Sequence, residues 1–181
     1  MNQYNTIDSF LEDWKNKARE YYLSRLDEYS IVREKYTKAL NEYTDNDAKS
    51  PYKENLNVVY NELNDYQKNP PYSKSIFRIV DSMYYDRKLN RPCPLENILD
   101  KEVANKKATF IARIEKKAGT IKNVDLNIGV DGSINGKVVG NKNTVSVYSI
   151  IAGGWNIQIA HYRVLINIIK FNKESKYESR A

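Results

Sequence analysis

Glycine is confined to one part of this chain, and that confinement divides the fold in two. The stretch from Gly129 to Arg163, GVDGSINGKVVGNKNTVSVYSIIAGGWNIQIAHYR, holds six of the seven glycines and the single histidine. Ahead of it, residues 7–44 contain neither glycine nor proline, so they can run as one unbroken helix. Helices in front and turn-punctuated strands behind make the expected class α+β. Residues 1–90 read as a helical hairpin or bundle. Residues 91–181 read as a helix plus a four-stranded antiparallel β-meander with a short basic tail.

The first helix, 7–44, has Thr6 as its cap and Asp8 in its first turn. Tyr22, Tyr29, Tyr36 and Tyr43 recur at heptad spacing and build one seam with Leu26, Val32, Ala39 and Leu40. A second helix, 51–68, opens on Pro51 at a position where proline loses no hydrogen bond. Its stripe is Tyr52, Leu56, Val59, Leu63 and Tyr66. The short polar link TDNDAKS makes the two helices antiparallel neighbours. The first outruns the second by about 30 Å at 1.5 Å per residue, so part of it projects or packs on something else. A leftover apolar face would form a homodimer or a partner-binding surface, with Tyr22, Tyr29 and Tyr36 as the candidate contacts. The same tyrosines suit interhelical packing with their hydroxyls at the rim. A third helix, 75–89, buries Ile76, Ile79, Val80, Met83 and Tyr84. After Arg91-Pro92-Cys93-Pro94, a fourth helical segment is expected from Leu95 towards Lys117. Residues 106–117 also fit a strand, but their helix formers and Gly119 as a C-terminal cap favour helix.

In the glycine-rich half, Val124–Ile128 is the first strand, with Val124, Leu126 and Ile128 inward. Asp131-Gly132 signals a hairpin to Ser133–Val139. The Gly140–Asn143 loop leads into Thr144–Ile151, with Val145, Val147 and Ile151 inward. A long apolar strand from Ile157 to Ile169 follows Gly153-Gly154. Gly136 and Gly140 are read as places where a backbone or a large side chain such as Trp155 approaches closely.

Charge is split between the halves. Residues 1–90 carry 14 Lys+Arg against 15 Asp+Glu, a net −1, and residues 91–181 carry 15 against 8, a net +7. That asymmetry suits either a surface meeting a polyanion or simply a lysine-rich, well-solvated chain. The nucleic-acid candidates are Lys116, Lys117, Lys122, Lys137, Lys142 and Arg163. GKVVGNK lacks the spacing of a phosphate loop and reads as a hairpin, although Lys137 and Lys142 could meet a backbone phosphate. No apolar run approaches the ~18 residues of a membrane span. The start, MNQYNTIDSF, lacks a secretory signal, so a cytoplasmic protein is expected. Cys93 stands alone and reads as a buried thiol. One histidine and one cysteine leave no zinc site of nitrogen and sulfur ligands. No metal or other cofactor is expected.

His161 and Arg163 are the one pair suited to chemistry. Two apart on a strand, they share a face. A neutral imidazole beside a fixed cation could take a proton from a ribose hydroxyl while arginine stabilises the phosphorane. A hydrogen-bonded histidine packing the sheet fits the same residues. Catalysis by a metal-independent ribonuclease therefore stays open.

The run KKAGTIKNVDLNIGVDGSINGKVVGNKNTVSVYSIIAGGWNIQIAHYRVLI carries a motif of KxG, IG-x-x-G-x-INGxVxG and AGG[YW]NIQ-x-x-HYRVL. Gly119, Ile128-Gly129, Ile134–Gly140 and Ala152–Ile166 supply it here. In this it resembles a C-terminal module of phage and plasmid proteins from Gram-positive bacteria, in which tyrosine more often stands at the place of Trp155. Small mobile-element proteins with a helical front end look like anti-CRISPR inhibitors of the RNA-guided nuclease Cas9. The resemblance implies binding to Cas9 or its guide RNA complex, with a basic β face along RNA and the helical hairpin on protein. A DNA- or RNA-binding accessory protein of a mobile element is the neighbouring alternative.

Overall fold

A computed structural model describes residues 6–149, 155–157 and 164–168 of the 181. It is α+β: long N-terminal helices followed by an antiparallel sheet. The helices are α1 (Ile7–Asp45), α2 (Ser50–Lys68), α3 (Lys74–Lys88), α4 (Leu95–Lys106) and α5 (Ala112–Ala118), with a π-helical turn at Lys107–Ile111 joining the last two. The strands are β1 (Ile121–Ile128), β2 (Ile134–Gly140), β3 (Thr144–Ser149) and a short β4 (Val164–Ile168). They pair antiparallel in the order β1-β2-β3-β4.

The long strand expected over 157–169 is not present as such. Ile157 lies in the turn after Trp155, and among the described residues of that span Val164–Ile168 is strand. Residues 158–163 and 169 lie outside the described residues, as does Ile151.

The chain divides into two compact units, residues 20–95 and residues 1–19 with 96–181. The expected boundary near residue 90 therefore needs correcting. The first turns of α1 belong with the C-terminal half because they supply part of its core: Phe10, Leu11, Trp14 and Ala18 are all buried. Thr6 caps α1 as read, its hydroxyl accepting from Ser9 N at 3.0 Å while the Ser9 hydroxyl donates to Thr6 O at 2.9 Å.

In the 20–95 unit, Tyr22, Leu26 and Tyr29 of α1 are buried, as are Leu63 of α2 and Ile76, Ile79, Val80, Met83 and Tyr84 of α3. Tyr29 is the hub. Its ring stacks on Tyr66 at 5.5 Å and meets Phe77 and Tyr84 edge-on. Its hydroxyl donates to Asp81 at 2.7 Å and accepts from Gln67 at 3.0 Å. Burial pushes this phenol up to about 12. The aromatic seam is thus a core in which the Tyr29, Tyr66, Tyr72 and Tyr84 hydroxyls are hydrogen-bonded. Ser73 caps α3 by accepting from Ile76 N at 3.3 Å. Cys93, expected buried, is exposed; the Pro92 and Pro94 that flank it hold it in the link between α3 and α4.

In the other unit, α5 lies on the inner face of the sheet, where Val124, Leu126, Ile134, Val138, Val145, Val147 and Ile166 are buried. The π-turn has a reason in the sequence. Lys106, Phe110, Ile114 and Ala118 are buried at intervals of four residues. Each such step overshoots a 3.6-residue turn by about 40°. A π-turn is wider and absorbs most of that drift, keeping the four on one line. Thr109 Oγ1 donates to Asn105 O at 2.7 Å, satisfying a carbonyl within this irregular stretch.

The close approaches at Gly136 and Gly140 are to backbone, not to Trp155. A Cβ on Gly136, at φ +142, would fall 2.1 Å from Asp125 O, and one on Gly140 would fall 2.2 Å from Ala118 O. Trp155 instead stacks on Trp14, ring centroids 6.3 Å apart, and donates its indole N–H to Val130 O at 2.7 Å. No helix among the described residues is long and apolar enough to cross a membrane.

Candidate nucleic-acid interface

The corner where α5 turns into β1 gathers most of the described cationic candidates. α5 carries Lys116 and Lys117 in its last turn and stops at Gly119, whose φ of +82 suits glycine. The chain then enters β1, where Ile121 pairs with Gly140 at the far end of β2. The loop Asn141-Lys142-Asn143 folds back over the helix end. Lys142 N and Asn143 N donate to Ala118 O at 2.9 and 3.2 Å, and Asn143 Nδ2 donates to Lys117 O at 2.9 Å. The Asn141 side chain accepts from Thr120 N at 3.0 Å. The last carbonyls of α5 are therefore capped by the β2–β3 loop, which the sequence showed only as a hairpin.

This cap sets what the loop can do. The Lys142 amide is used on Ala118, so it is closed to a phosphate, while the residue itself is exposed beside the α5 end. Lys116 is exposed on α5. The β1–β2 register shifts between Ile121 and Asn123, leaving Lys122 as the extra, exposed residue at the start of β1. Lys117 is partly committed, because its ammonium donates to Ile166 O and ties α5 to β4. Glu115 is the one carboxylate in this last turn of α5. Cations here also complement the negative end of the helix dipole.

Lys137 stands apart. It lies on the outer face of the sheet, directly across from Asp125, so the described part of that face holds a cation beside an anion rather than a basic stripe. The neighbours in register are Asn127 with Asn135 and Asn135 with Tyr148. Among the described residues, the exposed cationic candidates other than Lys137 thus lie at the α5–β1 end of the sheet rather than across the basic β face that the resemblance implies. Arg163 and His161 lie outside the described residues, so neither the nucleic-acid nor the catalytic assignment to them has a structural counterpart.

The tyrosine candidates also part company. Tyr22 and Tyr29 are fully buried, which corrects the expectation that they face a partner. Tyr36 is half-buried and tilts against Tyr60 at 6.0 Å. Sequence reasoning missed Lys106, which is 7% exposed in the turn leading to the π-helix. Its ammonium sits 4.9 Å from the Trp14 ring centroid and 3.3 Å from Glu102. Desolvation holds its pKa below 10.5 against the pull of Glu102. The signal was present as the one charged residue in the four-residue repeat of buried positions. No family model, curated protein or solved structure matches this chain.

Proposed function

We propose that this chain is a stoichiometric binding protein that engages the guide-RNA complex of a Cas9-type nuclease and restrains its cleavage of DNA. The observation that carries the reading is that the exposed Lys116, Lys122 and Lys142 are carried by the end of α5, the start of β1 and the loop that caps α5. Three ammonium groups on a rigid frame suit the phosphates of a nucleic-acid backbone, where such contacts give affinity without sequence readout. The resemblance of the glycine-rich motif to that of mobile-element proteins supports the choice of partner, and the +7 balance of residues 91–181 supports the sign of the surface.

The test mixes purified protein with a Cas9–guide complex and follows co-elution, DNA cleavage and RNA length. Inhibition that saturates near equimolar ratio with intact RNA is expected. A Lys116→Glu, Lys142→Glu double variant should weaken binding and flatten its salt dependence, by a slope change of ~0.9 for each phosphate no longer neutralised. Failure to co-elute together with undiminished cleavage refutes the reading. Shortened guide RNA would transfer the function to a ribonuclease.

A further inference from the structure

Along α4, the π-turn and α5, acidic and basic side chains are sorted onto different sides. Residues 95–118 hold six cations and four carboxylates. Three of the carboxylates are committed. Glu96 bonds Arg19 and lies 3.7 Å from Lys15, Asp100 meets Lys15 at 2.5 Å, and Glu102 is held against the buried Lys106 at 3.3 Å. Lys107 in turn meets Asp8 of α1 at 3.0 Å. Lys101, Arg113 and Lys116 are exposed and have no carboxylate partner among the described residues.

The four-residue repeat of buried positions sorts the remaining side chains. Two residues from a buried position is a rotation of about 200°, which faces away from the core. Ala108, Ala112 and Lys116 form this outermost line, and Lys101 joins it two residues beyond the buried Leu99. One residue before the buried positions, about 100° round, stand Asn105, Thr109 and Arg113, all exposed. Lys117 ends that second line with its ammonium on Ile166 O. One residue after the buried positions stand Lys107 and Glu115, on the flank where Lys15 reaches Asp100. The outermost line and the Arg113 flank therefore carry cations and, with Glu102 turned to Lys106, no open carboxylate. This face is about 20 Å long from Lys101 to Lys116.

Charge and composition select the occupant. A row of cations without carboxylates complements a polyanion, and over this length a duplex presents the phosphates of about six base pairs. Single strands are held on aromatic stacking platforms, and Phe110, the one aromatic residue of 95–118, is buried. The alanines let a broad surface come close. Beside them Asn105 offers a short amide, and Thr109 keeps its hydroxyl oxygen as an acceptor while donating to Asn105 O. These suit the wide, shallow minor groove of an RNA duplex and its 2′-hydroxyls better than the B-DNA major groove, about 8.5 Å deep. We infer that the outer face of α4 and α5 is a track for an RNA duplex, its phosphates meeting Lys101, Arg113 and Lys116. The inference rests on reading the α5–β1 corner as a nucleic-acid contact, but not on Cas9 as the partner.

Fluorescence anisotropy of the full chain with a labelled RNA duplex of about 16 base pairs, in the absence of Cas9, tests this. Binding that falls steeply with salt is expected, with weaker binding of a DNA duplex and of single-stranded RNA of the same sequence. Lys101→Gln and Arg113→Gln should each weaken it about threefold to tenfold and lower the salt slope by ~0.9. Lys38→Gln, the same charge change at an exposed site on the distal part of α1, should alter it by less than about twofold. Asn105→Ala should narrow the preference for RNA over DNA. Circular dichroism checks that the helices persist in each variant. A chain that joins the Cas9–guide complex yet ignores the naked RNA duplex overturns this inference and leaves the proposed function standing. RNA duplex binding without Cas9 co-elution does the reverse. Tighter binding of the DNA duplex or the single strand, or an equal loss in Lys38→Gln, also overturns it.

Discussion

Lys106 shows how one residue can carry a cost that the rest of its surroundings must offset. Its ammonium is buried with a carboxylate and an indole face for company, and burial lowers its pKa more than Glu102 raises it. Because the folded pKa is depressed, the unfolded chain binds more protons in the interval between the lowered value and 10.5. Stability from this group is therefore fully present above 10.5 and lost as pH falls through the folded value. Relative to Lys106→Met, the wild-type chain should gain stability as pH rises through that interval, measured by denaturant melts at each pH. Glu102→Gln, which removes the carboxylate charge beside the ammonium, should cost about 1–3 kcal/mol at neutral pH. An unchanged midpoint in Glu102→Gln would mean that the Glu102 charge is not what compensates the ammonium.

The π-turn is the informative element. One residue more than an α-helix needs has been accommodated between Lys106 and Phe110, and the wider turn keeps the buried positions aligned. Deleting the exposed Ala108 brings the following buried residues to steps of three, four and four from Lys106, which a regular α-helix satisfies. The shortened helix should fold with stability within about 1 kcal/mol of the parent, since the same face stays buried. Deleting Glu115 instead swings Ala118 and the loop cap by about 100°, and should abolish cooperative unfolding of the sheet unit. Thermal melts of the two deletions decide between a register-correcting turn and one that is needed for itself. The same element explains why the sequence left 106–117 open between helix and strand. A period of four fits neither template cleanly, being longer than the helix repeat and twice the strand repeat.

Across the full chain, the two units differ in what holds them. Residues 20–95 form a hydrogen-bonded aromatic core shared by three helices, and residues 1–19 with 96–181 form a helix-covered sheet. A unit with its own buried core can fold by itself. The excised 20–95 fragment should therefore be helical and melt cooperatively, as read by circular dichroism, and Tyr29→Ala should lower its stability by about 3–5 kcal/mol through the cavity at the hub. A non-cooperative melt would show that the aromatic core depends on the remainder of the chain.

The amino-acid pattern was enough to define the elements: the helix spans, the antiparallel order of β1, β2 and β3, the Gly119 terminus, and the inward positions Val124, Leu126, Val145 and Val147. All of these are local, because periodicity and capping act over a few residues along the chain. Which residues border which lysine was settled only by packing in three dimensions. The loop that carries Lys142 lies against the end of α5 because Asn143 caps Lys117 O across 26 residues of chain, whereas Lys137 faces Asp125 because of strand register. Packing also made Tyr22 and Tyr29 core while Tyr60 and Leu40 stay open, since α3 ends before the hairpin does. Such outcomes depend on where separate elements stop relative to one another in space, and no linear spacing encodes that.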